Sequence, residues 1–338
     1  MQLSMEVQRM KSAILKWGLL STAHINEAVI PVLRGSSRNQ LEAVASRELV
    51  TAQRYAQEQE IPRAHGSYEA LLEDPEIDVV YISLPNHLHA EWSIKALQSG
   101  KHVLCEKPLA LTVSEVDAMS EAAAGAKRVL AEAFMYRHHT QTLRVQELVK
   151  SGAVGNLQLV KGAFTFTIQR AVDIRLTRGT GGGSVWDVGC YPISYARMIA
   201  VSEPTDAFGW QTLGQGGVDE SFQGMLRFGS GVRAGFDCGF RSPGRSWMEI
   251  IGDEGVLTIP NAFKPGRNES VTLTKNETSQ AIHIDGEELY QGEIEDMADA
   301  ILEGKAPRVS LEDSRGNVET IVALLQSASQ GKPVRLRH

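Results

Sequence analysis

Four short stretches of the chain combine small, basic and acidic residues in patterns that could do chemistry. The first is Lys16-Trp17-Gly18-Leu19-Leu20-Ser21-Thr22-Ala23-His24-Ile25-Asn26. It joins an apolar run to a helical pattern, at the place where a dinucleotide site carries G-x-G-x-x-G. Gly18 alone stands at a glycine place. Ser21 and Ala23 are small enough to let the backbone approach a pyrophosphate, and N–H groups around Thr22 and Ile25 would face that anion as the helix starts. His24 either touches the pyrophosphate or lies exposed. The second stretch, Ala45-Ser46-Arg47, ends the next apolar run, where NAD-selective sites place an acidic residue for the adenosine ribose. A serine hydroxyl and a planar arginine fork in its place favour the 2′-phosphate of NADP, with NAD as the other possibility.

The third and fourth stretches are Ser83-Leu84-Pro85-Asn86-His87-Leu88-His89 and Cys105-Glu106-Lys107-Pro108-Leu109. Both fall at the carboxyl ends of predicted strands, where ligands bind in open α/β sheets. Further on, Gly181-Gly182-Gly183-Ser184-Val185-Trp186-Asp187-Val188-Gly189-Cys190-Tyr191-Pro192 carries Asp187 and Tyr191 four apart where loop becomes helix, so both can face one cleft. Asp187 as a helix N-cap and Tyr191 as core filler are the plainer uses of those positions. Upstream, Asp173 and Arg175 are set to hydrogen-bond a polyol or to lie in a solvated loop. Arg137 either contacts substrate or pairs between domains. His138-His139 and His87-x-His89 lack the acidic partners and i, i+4 spacing of a zinc helix, so no metal site is expected.

The elements that must position these residues follow from periodicity. The chain has 338 residues, 42% hydrophobic and 22% charged, which suits two globular domains and excludes wholesale disorder. Apolar runs Leu15 to Leu20, Leu41 to Ser46, Val79 to Ser83, Val103 to Glu106 and Val129 to Ala133 predict buried parallel strands. Helical patterns lie between them at Asn26 to Arg34, Glu48 to Glu60, Tyr68 to Leu72, His87 to Gln98 and Ser114 to Ala124. Asn26 and Ser114 read as caps, and Gly35, Gly100 and Gly125 as stops. After a helix at Gln141 to Lys150 the period becomes strand-like. Strands are predicted at Leu157 to Ile168, Ser221 to Phe228, Val232 to Phe240, Met248 to Ile251, Val256 to Ile259 and Val271 to Thr274. Helices are predicted at Ile193 to Ala200, Glu293 to Leu302 and Leu311 to Ser329. The expected fold is α/β: an N-terminal Rossmann domain with a parallel sheet over residues 12–136, then a C-terminal α+β domain with an open, mainly antiparallel sheet over 137–338.

A net charge of −7 argues against nucleic acid or an anionic membrane as the main partner. No run reaches the roughly 18 to 20 apolar residues of a membrane span, and Met1 to Lys11 does not read as a signal peptide. Three cysteines without C-x-x-C spacing, Cys105, Cys190 and Cys238, point to a reducing cytoplasm.

Glu106-Lys107-Pro108 after an apolar strand, following Pro85-Asn86-x-x-His89, resembles the glucose–fructose oxidoreductase and inositol dehydrogenase family of nicotinamide-dependent enzymes, over Lys16 to Leu336. The resemblance implies that Lys107 is catalytic and that the peptide bond before Pro108 is often cis. It also implies that Leu84, Pro85, Asn86 and His89 line the nicotinamide half of the pocket, with Glu106 and Trp186 among the cofactor-contacting residues. The glycine-rich segment is similar to the family's G-G-G-x-x-x-D-x-G-x-[HY], and tyrosine at 191 resembles the branch of dihydrodiol and xylose dehydrogenases. The implied activity is an NADP(H)-preferring oxidoreductase that moves a hydride between the nicotinamide and a carbinol carbon of a sugar, cyclitol or related diol. Substrate would bind between the domains, held by Asp187, with Arg137, Asp173 and Arg175 as further candidates. Either Lys107 or Tyr191 would carry the proton. A homodimer or homotetramer is implied as well. A redox-neutral lyase or glycosidase, and a nucleotide-sensing regulator, are the alternatives on the same fold.

Overall fold

The computed structural model describes residues 14–170 and 172–336. Its contacts group into two compact units, one running through His138 and resuming at Tyr290–Ser314, the other covering His139–Leu289 and the chain from Arg315.

The first unit is built on six parallel strands in the order β3-β2-β1-β4-β5-β6. They are β1 (Leu15–Leu20), β2 (Asn39–Ala45), β3 (Arg63–His65), β4 (Val79–Ile82), β5 (His102–Glu106) and β6 (Leu130–Ala133). This is the doubly wound Rossmann order, whose ligand crevice opens outside the carboxyl ends of the strands where the order reverses. β4 and β6 are buried at every residue, as strands covered by helices on both faces must be. The helices are α1 (Asn26–Gly35), α2 (Leu49–Glu58), α3 (Tyr68–Leu72), α4 (His89–Gln98), α5 (Val113–Ala126) and, from later in the chain, α8 (Gln291–Glu303). α8 belongs to this core: Ile294, Met297, Ala298 and Leu302 are buried with Trp17, Val29, Ile30 and Leu33. Arg38 clamps it from outside, with nitrogens 2.6 Å from Glu295, 2.7 Å from Asp299 and 3.2 Å from Glu303.

Two expected caps are corrected. Asn26 is not a cap; α1 starts without a side-chain cap because the Asn26 amide is committed to the strand ends described below. Thr112, not Ser114, caps α5: its hydroxyl accepts from the Glu115 N–H, and Glu115 bonds back to the Thr112 N–H, a capping box that satisfies two end donors at once. Gly125 does not stop α5, which ends instead at Lys127 in the left-handed region.

The second unit carries nine strands in the order β14-β13-β12-β11-β7-β10-β9-β8-β15. They are β7 (Leu157–Thr167), β8 (Pro204–Leu213), β9 (Asp219–Phe228), β10 (Arg233–Gly239), β11 (Arg241–Gly252), β12 (Val256–Pro260), β13 (Asn268–Lys275), β14 (Thr278–Asp285) and β15 (Val334–Arg335). All neighbours pair antiparallel except β7 with β10. The open, mainly antiparallel sheet expected from the sequence is therefore present, with β8, β14 and β15 as strands additional to those expected, while β3 is an additional strand of the first sheet. β9 alternates strictly after Ser221: Phe222, Leu226 and Phe228 are buried while Gln223, Met225 and Arg227 are exposed, the period of a half-buried strand. Helices α6 (Thr140–Lys150), α7 (Cys190–Ala200) and α9 (Leu311–Gln330) complete the described chain. Only Ala200 in α7 is not buried. No described helix is long and apolar enough to cross a membrane.

Candidate active site

The four strands that carry the candidate residues of the first unit end in register. Ala45, Leu20, Ile82 and Cys105 pair side by side across β2, β1, β4 and β5. The next residues are therefore Ser46, Ser21, Ser83 and Glu106, a row of polar side chains along the switch-point edge. Neighbouring strands are about 4.8 Å apart, so the row spans about 14 Å, a distance over which one extended ligand can be held.

At its centre Ser21 has φ 133°, a region that glycine enters freely and other residues seldom do. The sequence has serine where the dinucleotide motif has glycine, and the backbone keeps the glycine conformation. Hydrogen bonds hold it there. The Ser21 hydroxyl is 2.8 Å from Ser83 Oγ and 3.1 Å from the Ser83 carbonyl, and it accepts from the Ala23 N–H. Asn26 completes the knot, donating its amide to the Ser21 carbonyl and accepting from Ser83 Oγ, each at 2.8 Å. Gly18 serves packing: a Cβ there would lie 2.9 Å from Leu71 Cδ2. Thr22, Ala23 and Ile25 are half-buried in the turn. His24 is 91% exposed and pairs with Glu27 at 3.1 Å. Ser46 is buried and Arg47 exposed.

On the other side of the row, Leu84 is buried, Pro85 and Asn86 are half-buried, and His89 is fully buried at the start of α4. His89 joins two loops, with Nδ1 2.8 Å from the Pro108 carbonyl and Nε2 2.8 Å from the Leu84 carbonyl. Burial lowers its pKa, against the two carbonyl contacts. Lys107 follows β5, half-buried, with a cis bond to Pro108. Its N–H is 3.3 Å from Glu106 Oε2, while Tyr81 donates its hydroxyl to Glu106 Oε1. Next along, the Leu109 N–H donates to Glu132 Oε1 at 2.9 Å. Arg137 is buried, its Nη1 2.7 Å from Asp313 Oδ2; both residues lie in the first unit, so this ion pair is not one between domains.

Sequence reading missed a set of buried acids beneath this edge. Burial raises Glu132 to about 7. Glu293 on α8 is 1% exposed, and neither of its carboxylate oxygens has a hydrogen-bond partner. Burial, then the charge of Glu106, pushes it well above the usual range, as expected for an uncompensated carboxyl held neutral in an apolar interior. An acidic residue in an apolar pattern was the available signal.

In the second unit the chain folds through short 3₁₀ turns at Ile174–Leu176 and Arg178–Thr180, then the glycine run, then a π turn, Val185–Gly189, that leads directly into α7. Gly182 is needed for close approach, since a Cβ there would lie 2.5 Å from the Arg175 carbonyl. Asp173 caps the first 3₁₀ turn. Arg175 lies between two carboxylates, Nε donating to Asp187 Oδ2 at 2.9 Å and Nη1 lying 3.3 Å from Asp173 Oδ1. The three predicted substrate-side residues Asp173, Arg175 and Asp187 thus form one cluster. Asp187 sits inside the π turn and not at the N-cap of α7, which is Gly189. Trp186 is buried beside it, and Tyr191 is 3% exposed, its ring edge-on to Phe164 at 5.2 Å and 5.6 Å from Phe263. Among the described residues no cluster of His, Cys, Asp or Glu could hold a metal.

The switch-point edge fits a phosphorylated dinucleotide: a glycine-type turn at Ser21, a hydroxyl at Ser46, and an arginine, not a carboxylate, at position 47. Comparison with known proteins agrees. Residues 15–134 match the family model described as an oxidoreductase family with an NAD-binding Rossmann fold, and residues 142–258 match the GFO/IDH/MocA C-terminal domain. The D-xylose 1-dehydrogenase (NADP(+)) 2 of Haloferax volcanii is 38% identical over 95% of this chain and 100% of its own. The trans-1,2-dihydrobenzene-1,2-diol dehydrogenase of Danio rerio is 36% identical over 73% of this chain and 74% of its own. Among solved structures, the 3-ketoreductase KijD10 of Actinomadura kijaniata, in complex with NADP and TDP-benzene, superposes with a TM-score of 0.88 at 27% identity, covering 93% of this chain and 98% of that one.

Proposed function

The chain belongs to the GFO/IDH/MocA oxidoreductase family, and we propose that it is an NADP-preferring dehydrogenase or reductase acting on a carbinol carbon of an aldose, cyclitol or related diol. One observation carries this reading. Ser46, Ser21, Ser83 and Glu106-Lys107 follow four adjacent, in-register strands in that order, which supports an extended dinucleotide with its adenosine phosphate at Ser46-Arg47 and its reactive end at Lys107. The similarity to NADP-dependent and NADP-bound relatives supports the same cofactor.

Bound nicotinamide supplies hydride transfer, and the protein supplies position and proton exchange. Arg47 forks onto the 2′-phosphate, with Ser46 as a second donor. Thr22, Ala23, His24 and Ile25 present backbone and side chain to the pyrophosphate. Leu84, Pro85, Asn86, His89, Glu106 and Trp186 shape the nicotinamide end. Lys107 or Tyr191 exchanges the proton of the reacting hydroxyl, and Asp187, oriented by Arg175, accepts from a neighbouring hydroxyl. Arg137, already paired with Asp313, serves by fixing its own loop. Exposed Trp210, Leu213 and Met225 on β8 and β9 support self-association through the second sheet.

A panel of aldoses, inositols and vicinal diols, D-xylose among them, tests the reading by the appearance of reduced nicotinamide with NADP and with NAD. Reduction of NADP by at least one member is expected; product formed with no net cofactor reduction would replace it by a redox-neutral reaction.

A further inference from the structure

We infer that Asp219 is a positioning residue for Asp187 and Tyr191, capping from a separate strand the turn on which both are mounted. Asp219 opens β9 and is 3% exposed. Its Oδ2 accepts from the Ser184 hydroxyl at 2.6 Å and from the Val185 N–H at 2.8 Å. Val185 is the first residue of the π turn that contains Trp186 and Asp187 and passes into α7 one residue before Tyr191. The residue preceding a helical turn ordinarily supplies the cap from its own side chain. Ser184 does not: its backbone is already helical, with φ −69° and ψ −30°, unlike the extended residue a cap requires, and its hydroxyl donates to Asp219. The carboxylate takes its place and holds the turn's first donor.

Gly183 is matched to this arrangement. Its φ is 125°, and a Cβ there would lie 2.4 Å from Asp219 Oδ1 and 3.8 Å from Trp186 Cδ1, so a side chain at 183 would expel the carboxylate. The Gly183 carbonyl accepts from the Asp187 N–H at 3.1 Å, which ties the glycine, the carboxylate and Asp187 together. Cys238 on β10 closes the other side, its Sγ 3.6 Å from Ser184 Oγ and 2.9 Å from where a Gly189 Cβ would stand.

A cap that must be ionised makes the turn sensitive to acid. Burial raises Asp219 to about 6, against the opposing hydrogen bonds from Ser184 and Val185. Of the titratable groups around it, Cys238 is held as a thiol by burial well beyond this range. Cys190 on α7 lies close to Cys238. Glu220, next on β9, is paired with Arg241 at 2.6 Å, and the Arg175 guanidinium is engaged by Asp173 and Asp187. Protonation of Asp219 removes an acceptor site from the cap and loosens the turn.

The inference rests on the proposed roles of Asp187 and Tyr191, but its first test does not. Trp186 fluorescence is followed from pH 5 to 8 in the intact protein, with Trp186→Phe assigning the signal. A transition with a midpoint at about 6 is expected in the wild type, absent from Asp219→Asn of unchanged circular dichroism. The same transition in a folded Asp219→Asn overturns the inference. If that variant does not fold, Ser184→Ala decides: loss of one bond to the charged form moves the midpoint up by about half a unit to one unit, and an unmoved midpoint overturns it. With D-xylose and NADP as the probe, the acid limb of kcat/KM should follow the fluorescence midpoint in wild type and Ser184→Ala. A limb that stays put while the fluorescence midpoint moves overturns the positioning role. If the wild type turns over neither D-xylose nor any other member of the panel, the proposed function fails and the fluorescence result stands.

Discussion

Arg175 Nε and Asp187 Oδ2 lie 2.9 Å apart, across twelve residues of chain that fold back through two 3₁₀ turns and a glycine run. The pairing gives Asp187 a fixed orientation: one oxygen engages the guanidinium while the side chain stays 16% exposed, which leaves it room to accept from a ligand hydroxyl. Its charge is the largest cause that holds Arg175 above the ordinary arginine value.

Arg175→Met should therefore act through Asp187. Arg175 is 43% exposed, and a partly exposed charge-assisted pair contributes about 1 kcal/mol. The expected effect is a rise in KM of roughly five-fold with kcat within about two-fold, which marks lost ground-state binding. Asp187→Asn should raise KM in the same direction. An unchanged KM in Arg175→Met, measured with the best substrate from the panel, would separate the ion pair from substrate binding.

Arg47 stands just beyond β2, exposed, where an NAD-selective site carries an acidic residue. Removing a charge-assisted fork costs about 1.5 to 3 kcal/mol, so Arg47→Ala should weaken NADP by about ten- to a hundred-fold and leave NAD little changed. Fluorescence titration of both cofactors checks this. Equal losses for NADP and NAD, or a wild type that prefers NAD, would remove the 2′-phosphate assignment.

The two proton-transfer candidates differ in their surroundings. Lys107 is half-buried after a strand end, whereas Tyr191 is 3% exposed among Phe164 and Phe263. A positioned acid or base contributes about 10² to 10⁴ in rate. Lys107→Met should lose turnover by that factor while still binding NADP, and Tyr191→Phe should lower kcat with KM nearly unchanged. Whichever variant keeps near-normal kcat is not the proton carrier. Melting temperatures taken alongside guard against a packing defect at Tyr191.

These residues were legible because their chemistry is local. Glu106-Lys107-Pro108 follows an unbroken apolar strand, and the bounds of β1 and α3 emerge unchanged from periodicity. What the sequence hid depends on distant partners. β3, Arg63–His65, has three half-buried residues and no apolar signature; β14 is a mostly exposed edge whose strand character comes from its pairing with β13, a case of tertiary context outweighing propensity. The periodicity of Glu293 to Leu302 marks a helix, observed as Gln291–Glu303, but nothing local places it against α1 in the first core. Asn26 reads as a cap until Ser21 and Ser83 are seen beside it. Asp219 lies in no motif, and only the fold brings it to Ser184, 35 residues earlier.

Glu132 provides a test that needs no substrate. It lies in β6, 2% exposed, and burial raises it from the ordinary 4.5 to about 7, with Ser314 and the Leu109 N–H opposing and Asp313 adding to the rise. A carboxyl whose folded pKa exceeds its unfolded value binds its proton more tightly in the native state, so its contribution to stability is greatest below about 4.5 and is lost as pH rises through about 7. A shift of this size corresponds to about 3 kcal/mol. Glu132→Gln has no proton to release and should lack that part of the pH dependence. Urea or thermal unfolding at pH 5 and pH 8 should show the wild type losing stability relative to the variant as pH rises. The other raised acids, Asp219, Glu293 and Asp296, are common to both proteins and cancel in the comparison. Parallel pH profiles for wild type and Glu132→Gln would mean that Glu132 is already ionised in the folded protein over this range.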